Sequence, residues 1–262
     1  METSAHEFWP GRYAGQAVLI VGGTGSIGSA TAKRLAAEGA SIDILDKRAD
    51  ATEKFTQDLH RSGFQALGYA IDATDPAQVA SAFDDFEDRM GKIDVLINLA
   101  GYFERIEFSE MTLDIRRKYI AINLDTAFVT THDVMPRMIR RGYGRISTVS
   151  SGSVNGGFTN YAGYIAGKSG VIGFTRVLAR AGGPHGITAN TIMPGLIGTL
   201  SSQQVYGDQW SSIASAVAAM QVIPRLGGSD DIAEGIAWVC SKQARNVTGQ
   251  VINIDGGMHF TS

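Results

Sequence analysis

The 262-residue chain has a single cysteine, Cys240, so no disulfide can form within it and a reducing compartment fits. Its five histidines are scattered, none at metal-ligand spacing from cysteine or carboxylate partners, and no metal is expected. Charge of one sign is not in excess: 23 lysines and arginines stand against 26 aspartates and glutamates. That balance argues against a nucleic-acid partner, which would ask for a basic stripe. The one arginine cluster, Arg137, Arg140, Arg141 and Arg145, falls at the end of an expected helix, where cations complement the helix dipole. No apolar run is long enough to span a bilayer, and the opening METSAHEFWPGRYAG lacks the basic and apolar regions of a signal peptide. The expected location is the cytoplasm, with no membrane partner. Residues 1–14 are expected to form a short, partly ordered leader, and residues 15–262 one domain large enough to bury a sizeable core.

What the chain does have is a regular alternation of strand and helix patterns. AVLIVGG (17–23) reads as a buried parallel strand running into Gly22-Gly23-Thr24-Gly25-Ser26-Ile27-Gly28, and SATAKRLAAEGA follows as a helix. Strand, glycine loop and helix in that order suit a pyrophosphate, since small residues let the backbone approach and the helix N-terminus offers unpaired N–H groups. SIDILD (41–46) is a second strand ending in Asp46, eighteen residues after Gly28. A carboxylate there can accept hydrogen bonds from adenosine ribose hydroxyls and would repel a 2′-phosphate, which favours NAD over NADP. Lys47 and Arg48 follow at once and pull the other way. Further strands are expected at 64–75, closed by Asp72, at 93–101, ending in Asn98-Leu99-Ala100-Gly101, at GRISTVSS, at 186–195 and at 249–257, with a long helical region over 113–141. The fold class is therefore α/β: a Rossmann-type, doubly wound, parallel seven-stranded sheet with helices on both faces, in the order 3-2-1-4-5-6-7.

Ser150 to Gly173 carries the chemistry. Tyr164 and Lys168 are four apart, so a helix places them on one face. An ammonium beside a phenol favours the phenolate, and a tyrosine tuned this way can exchange a proton with an alcohol or ketone oxygen. Ser151 arrives from the end of the preceding strand and can hydrogen-bond the same oxygen.

Together these stretches resemble the short-chain dehydrogenase/reductase family, in its compact single-domain branch, from Gln16 to Gly257. The resemblance implies a catalytic tetrad of Asn123, Ser151, Tyr164 and Lys168. Tyr164 is then the general acid/base, Lys168 lowers its pKa and holds the nicotinamide ribose, Ser151 orients the substrate oxygen, and Asn123 lies at a helix irregularity and holds a water. It implies cofactor contacts from Gly22, Thr24, Gly25, Ser26, Ile27, Gly28, Asp46, Asp72, Ala73, Asn98, Ala100, Gly101, Pro194, Gly195, Ile197 and Thr199, besides Tyr164 and Lys168. Three positions depart from the family pattern: Ser26 in the glycine loop, Leu99 in the strand-4 motif, and Gly167, which either loosens its helix or lets another helix approach closely.

The expected activity is interconversion of a secondary alcohol and its ketone with NAD, on a small-molecule substrate that is apolar or aromatic. Beside Ser151 and Tyr164, the substrate is expected to meet Tyr102, Val154, Phe158, Leu196 and Trp210, with Phe103 and Met220 nearby. Residues 196–224, rich in serines and spaced apolar residues, are expected to form one or two short helices that close over the site as a lid. Two alternatives stand beside this reading. One is a 3-oxoacyl-carrier-protein reductase with NADPH, which would ask for a cation in place of Asp46 and a basic patch at the site mouth; the other is a non-catalytic NAD-binding protein. The long helix containing Asn123 and the Tyr164 helix are apolar beyond what one sheet face can cover, and the resemblance implies that they pair into dimers that assemble into a homotetramer.

Overall fold

The apolar runs form β1 (Ala17–Val21), β2 (Ser41–Asp46), β3 (Ala66–Ala70), β4 (Val95–Asn98), β5 (Gly144–Val149), β6 (Ile187–Pro194) and β7 (Val251–Ile254). They make one all-parallel sheet in the order β3-β2-β1-β4-β5-β6-β7, as the alternation predicts. The computed structural model describes residues 9–260, so the first eight residues of the expected leader lie outside it. The helices are α1 (Ser26–Ala37), α2 (Ala49–Arg61), α3 (Pro76–Met90), α4 (Leu113–Ile120), α5 (Thr126–Arg141), α6 (Ser153–Gly156), α7 (Ala162–Gly182), α8 (Leu200–Tyr206), α9 (Trp210–Met220) and α10 (Ser229–Val239).

Successive side chains of a strand point to opposite faces, and the core divides accordingly. Val18, Ile20, Ile42 and Ile44 pack with Leu35 of α1 and with Ile232 and Ile236 of α10. Leu19, Leu45 and Leu96 pack on the other face with Phe83 and Phe86 of α3, Val134 of α5 and Leu178 of α7. β1, β4, β5 and β6 are buried along their whole length, as strands covered on both faces must be. β3, at the edge, is shorter than the 64–75 expected. The Asp72 carboxylate accepts from Thr74 N (3.0 Å) and Thr74 Oγ1 (2.7 Å), a local turn that ends the strand before Asp72.

The long helical region over 113–141 is interrupted by a π turn, Ala121–Asp125, between α4 and α5. Facing it, α7 carries Gly163, Gly167 and Gly170. A Cβ on Gly167 would stand 2.8 Å from Asn123 Cβ, and one on Gly163 2.7 Å from the Tyr119 ring. Of the two readings of Gly167, close approach is the one the packing shows. Three of the four clustered arginines are spent on structure, while Arg140 is exposed. Arg137 pairs with Asp84, Glu87 and Asp133, Arg141 with Asp94, and Arg145 is buried against the Gly144 and Gly186 carbonyls.

Residues 9–14 are tied to the end of α1 and to α10. Tyr13 is buried and donates to Ala237 O at 2.6 Å. Glu38, fully buried at the end of α1, accepts from Arg12 Nε (2.5 Å) and Nη2 (2.7 Å) and from Arg34 Nε (2.6 Å).

Candidate active site

In an open parallel sheet, ligands bind where the carboxyl ends of the strands meet the point of reversed order, here between β1 and β4. The glycine loop lies there, and each glycine has a reason. Gly22 has φ +75°, and a Cβ on it would meet the Leu99 and Ala100 backbone at 3.0 Å. A Cβ on Gly28 would stand 2.5 Å from Gly22 O, so only glycine lets α1 start this close to the loop. Gly25 precedes α1, whose N-terminus has no side-chain cap. Those N–H groups, with Ser26 and Ile27 beginning the helix, form a cradle suited to a pyrophosphate. The observed backbone thus fits a dinucleotide.

Beside the cradle, Asp46 ends β2 and accepts from Thr24 N (3.2 Å), Thr24 Oγ1 (2.5 Å) and Arg48 Nε (3.2 Å). Burial alone would raise this carboxyl, but hydrogen bonds from Arg48 and Thr24 outweigh it and hold the group below the usual carboxylate range. Arg48 Nη2 also donates to Thr24 Oγ1 at 2.6 Å. Lys47 is engaged elsewhere, 2.6 Å from Asp72, and Lys47 and Thr74 hold the Asp72 carboxyl down to about 2. Both cations that follow Asp46 are therefore already paired with carboxylates. Ala73 packs on the core beneath. Asn98 donates to Thr130 Oγ1 at 3.2 Å and so braces β4 against α5.

The catalytic candidates converge from three elements. Ser151 follows β5, which is tied to β6 through Gly152 N to Pro194 O (2.8 Å). Its hydroxyl is 2.9 Å from Ser153 Oγ and stands near enough to the Tyr164 phenol to lower its pKa. Tyr164 and Lys168 lie one turn apart on α7, which Ser150 Oγ holds to β5 by donating to Lys168 O at 2.8 Å. Lys168 Nζ is buried and donates to Ala100 O (3.2 Å) and Val149 O (3.0 Å). It thereby spans the ends of β4 and β5, next to Gly101. Burial pushes the ammonium down to about 8.

The phenol behaves differently from the expectation. Burial raises Tyr164 above its usual value, and the nearby Ser151 hydroxyl offsets only part of that. Lys168, turned to two carbonyls, does not reverse it.

Asn123 sits in the π turn and is buried. Its amide donates to Tyr102 O (2.9 Å) and Tyr119 O (3.0 Å) and accepts from Tyr102 N (3.1 Å), which fixes the loop after Gly101. Gly195 backs onto Asp255, with its N donating to Ile254 O at 3.1 Å. Thr199 caps α8, accepting from Ser202 N at 3.1 Å.

The substrate candidates separate. Phe103, not Tyr102, faces the Tyr164 phenol: its ring centroid is 4.9 Å from that of Tyr164 and 4.8 Å from that of Tyr161. Tyr102 turns to Tyr119 and lies under Lys118 Nζ, 3.9 Å from its centroid. Phe158 meets Tyr161 at 5.2 Å, and Trp210 meets Tyr206 at 6.2 Å. Tyr206, on α8, closes the set, its hydroxyl 2.5 Å from the Tyr161 hydroxyl. Leu196 and Ile197 instead line a cavity of about 290 Å³ with Gln221, Ile223 and Asp255, while Val154 lies half-buried on α6. Residues 196–224 do form short helices, α8 and α9, neither with a buried residue. Tyr206 and Arg105 carry no motif, and exposed or half-buried residues of these types are too common for spacing to single them out.

The family model described as enoyl-(acyl carrier protein) reductase matches residues 22–259. An uncharacterized oxidoreductase of Bacillus subtilis, YxjF, is 34% identical, covering 92% of this chain and 97% of its own. The 3-oxoacyl-[acyl-carrier-protein] reductase FabG of Escherichia coli is 33% identical over 95% of this chain and 99% of its own. The crystal structure of levodione reductase superposes with a TM-score of 0.88 at 31% identity, covering 94% and 98% of the two chains. Sheet order, glycine cradle and the convergence of Ser151, Tyr164 and Lys168 agree with that likeness along nearly the whole chain, and the protein belongs to the short-chain dehydrogenase/reductase family, oxidoreductases that work with a nicotinamide cofactor.

Proposed function

We propose that the protein interconverts a secondary alcohol and its ketone with NAD(H), on a substrate whose body is apolar or aromatic. The observation that carries this is the Tyr164 phenol, desolvated beside the Ser151 hydroxyl and faced by the Phe103 ring. The nicotinamide, when bound, supplies or takes the hydride. The chain does the rest. Ser151 and Tyr164 hold the substrate oxygen between two hydroxyls. In the reducing direction Tyr164 Oη donates its proton to that oxygen, and burial keeps the proton in place until then. Lys168 supplies positive charge beside the site where negative charge is left behind. Phe103 and Tyr206 exclude water from one side.

Support for NAD comes from Asp46, whose charged carboxylate would accept from ribose hydroxyls and repel a 2′-phosphate. A second reading, reduction of a 3-oxoacyl thioester, draws on the FabG relative. We also propose a cytoplasmic homotetramer, with Phe128 on α5 and Val177 on α7, both more than half exposed, covered by a neighbouring copy.

The test is a screen at 340 nm of secondary alcohols, hydroxysteroids, sugars, polyols and 3-oxoacyl thioesters with both cofactors. NAD(H) is expected to exceed NADP(H) in kcat/KM by about tenfold or more, about 1.4 kcal/mol. Tyr164→Phe is expected to lose at least about a hundredfold in kcat with cofactor binding kept. A Tyr164→Phe enzyme near wild-type activity would overturn the mechanism, and equal use of the two cofactors would overturn the role of Asp46.

A further inference from the structure

Arg105 lies four residues beyond Gly101, on the exposed loop after β4. Three walls of the substrate site converge on it. Its guanidinium lies 5.6 Å from the Tyr206 ring centroid, on α8. Its Nη1 donates to Gln209 Oε1 at 3.2 Å, between α8 and α9. With the Asn160 amide turned so that its oxygen faces the guanidinium, Nε and Nη2 donate to it at 3.1 and 3.3 Å, just before α7. Next to it, Ile106 N donates to Asn160 O at 3.0 Å and fixes the loop. Its field also reaches the Tyr161 hydroxyl, one residue from the start of α7.

Every one of these partners is neutral. Among the described residues no carboxylate pairs with Arg105, although Glu104 and Glu107 are close along the chain and Asp208 precedes its partner Gln209. The nearest of them in sequence, Glu104, acts instead on Tyr102 and Lys118. A guanidinium has five N–H donors, and three are used, which leaves one on each terminal nitrogen. A cation held in fixed orientation by two amides and a ring, with donors to spare and no counter-ion, is prepared to receive an anion. Tyr206 links it to the catalytic centre: the Tyr206 ring is 6.5 Å from Phe103, which is 4.9 Å from Tyr164.

We propose that Arg105 recognises an anionic group of the substrate, a carboxylate or a phosphate, at the end remote from the oxygen that Tyr164 serves. The substrate is then a keto or hydroxy compound with an apolar body along Phe103 and Tyr206 and an anionic tail. This rests on the oxidoreductase reading of the same site.

The experiment compares substrates in charged and neutral pairs on the full chain. Aryl keto acids are set against their methyl esters, and 3-oxoacyl-CoA thioesters against N-acetylcysteamine thioesters, which lack phosphate. The wild type is expected to prefer the anionic member of one pair, and the preferred pair identifies the source of the anion. Arg105→Gln is expected to raise KM for that member by about tenfold to a hundredfold, the range of a charge-assisted hydrogen bond, with kcat within about threefold. Arg105→Lys, with charge but no fork, should fall between, and Gln209→Leu, which removes a tether but not the charge, should keep the anion preference. A salt titration should raise KM for anionic substrates in the wild type and hardly in Arg105→Gln. Equal loss on charged and neutral members, or no preference in the wild type, overturns the proposal while the oxidoreductase reading stands. Calorimetric titration with 3-phenylpropionate and with inorganic phosphate separates the other case. Arg105-dependent binding without turnover of any substrate would sink the oxidoreductase reading and keep the anion site.

Discussion

Asp43 offers the sharpest test of the energetics. It sits in the middle of β2, between Leu19 of β1 and Leu67 of β3, on the face packed by Phe83 and Phe86. It is fully buried, and neither carboxyl oxygen makes a well-formed hydrogen bond, the Ile44 amide being the donor that acts on it. Burial raises its pKa well above 3.8; the Ile44 amide offsets part of this, and the Asp85 charge adds to it. The folded protein therefore holds a proton there that the unfolded chain has released. Between the unfolded pKa near 3.8 and the higher folded value the native state binds more protons, so stability falls as pH rises through that window and levels off above it. The slope is at most about 1.4 kcal/mol per pH unit. Asp43→Asn keeps a polar group but cannot ionise, and Asp43→Val also removes the orphaned acceptors, each worth about 1–3 kcal/mol. In urea unfolding at fixed protein concentration, the wild type and Asp43→Asn should diverge steadily from pH 4 upward. Asp43→Val should be the most stable of the three at pH 7, with Tm about 2–12 °C above wild type. Parallel pH curves for wild type and Asp43→Asn, or a destabilised Asp43→Val, would refute the argument.

Other substitutions read out other parts of the structure. Gly167→Ala, favourable for an isolated helix, should lower Tm by about 2–8 °C, because its Cβ would press on Asn123 at 2.8 Å; a raised Tm in differential scanning fluorimetry would show that the contact relaxes freely. Glu38→Gln should cost about 1–3 kcal/mol in urea unfolding, since it removes the buried carboxylate that Arg12 and Arg34 share and leaves Glu234 as their remaining one; a change below about 0.5 kcal/mol would mean that Glu234 compensates in full. Asp46→Ala should narrow the preference for NAD(H) over NADP(H) by about tenfold in kcat/KM. Trp210→Ala should raise KM for bulky substrates with the mass by light scattering unchanged; loss of assembly with normal turnover would make α9 an interface rather than a lid.

The strands and the tetrad stretch were legible because their signals are local. Apolar runs ending in glycine mark buried parallel strands, and Tyr164 and Lys168 need only helical spacing to meet. The π turn at Asn123 was not legible from local spacing, because no residue in Ala121–Asp125 is a helix breaker; only the family resemblance placed an irregularity there, and the glycines of α7 that accommodate it lie far along the chain. The end of β3 was misplaced for a related reason. Its apolar pattern continues through Ile71, while the turn that stops it is made by the Asp72 side chain. The state of Tyr164 was missed because lysine spacing tells of charge and nothing of burial, and burial is the larger effect. Arg105 was invisible because its meaning lies in what it does not pair with, which only the assembled loops reveal.

The place of β1 in the sheet has a consequence for how the molecule is born. Its Val18 pairs with Ile42 on one side and with Val95 on the other, and Leu99 N closes onto Val21 O at 2.9 Å. During synthesis β1, β2 and β3 emerge in succession and can pair among themselves. One whole edge of β1 then stays open until β4 leaves the ribosome. That edge is apolar, the kind that recruits strands from other chains. The backbone that crowds Gly22 also comes from beyond β4. The nascent N-terminal half therefore has neither a cofactor crevice nor a ligand able to stabilise it, and it depends on the speed of translation, or on a chaperone, to bridge the interval.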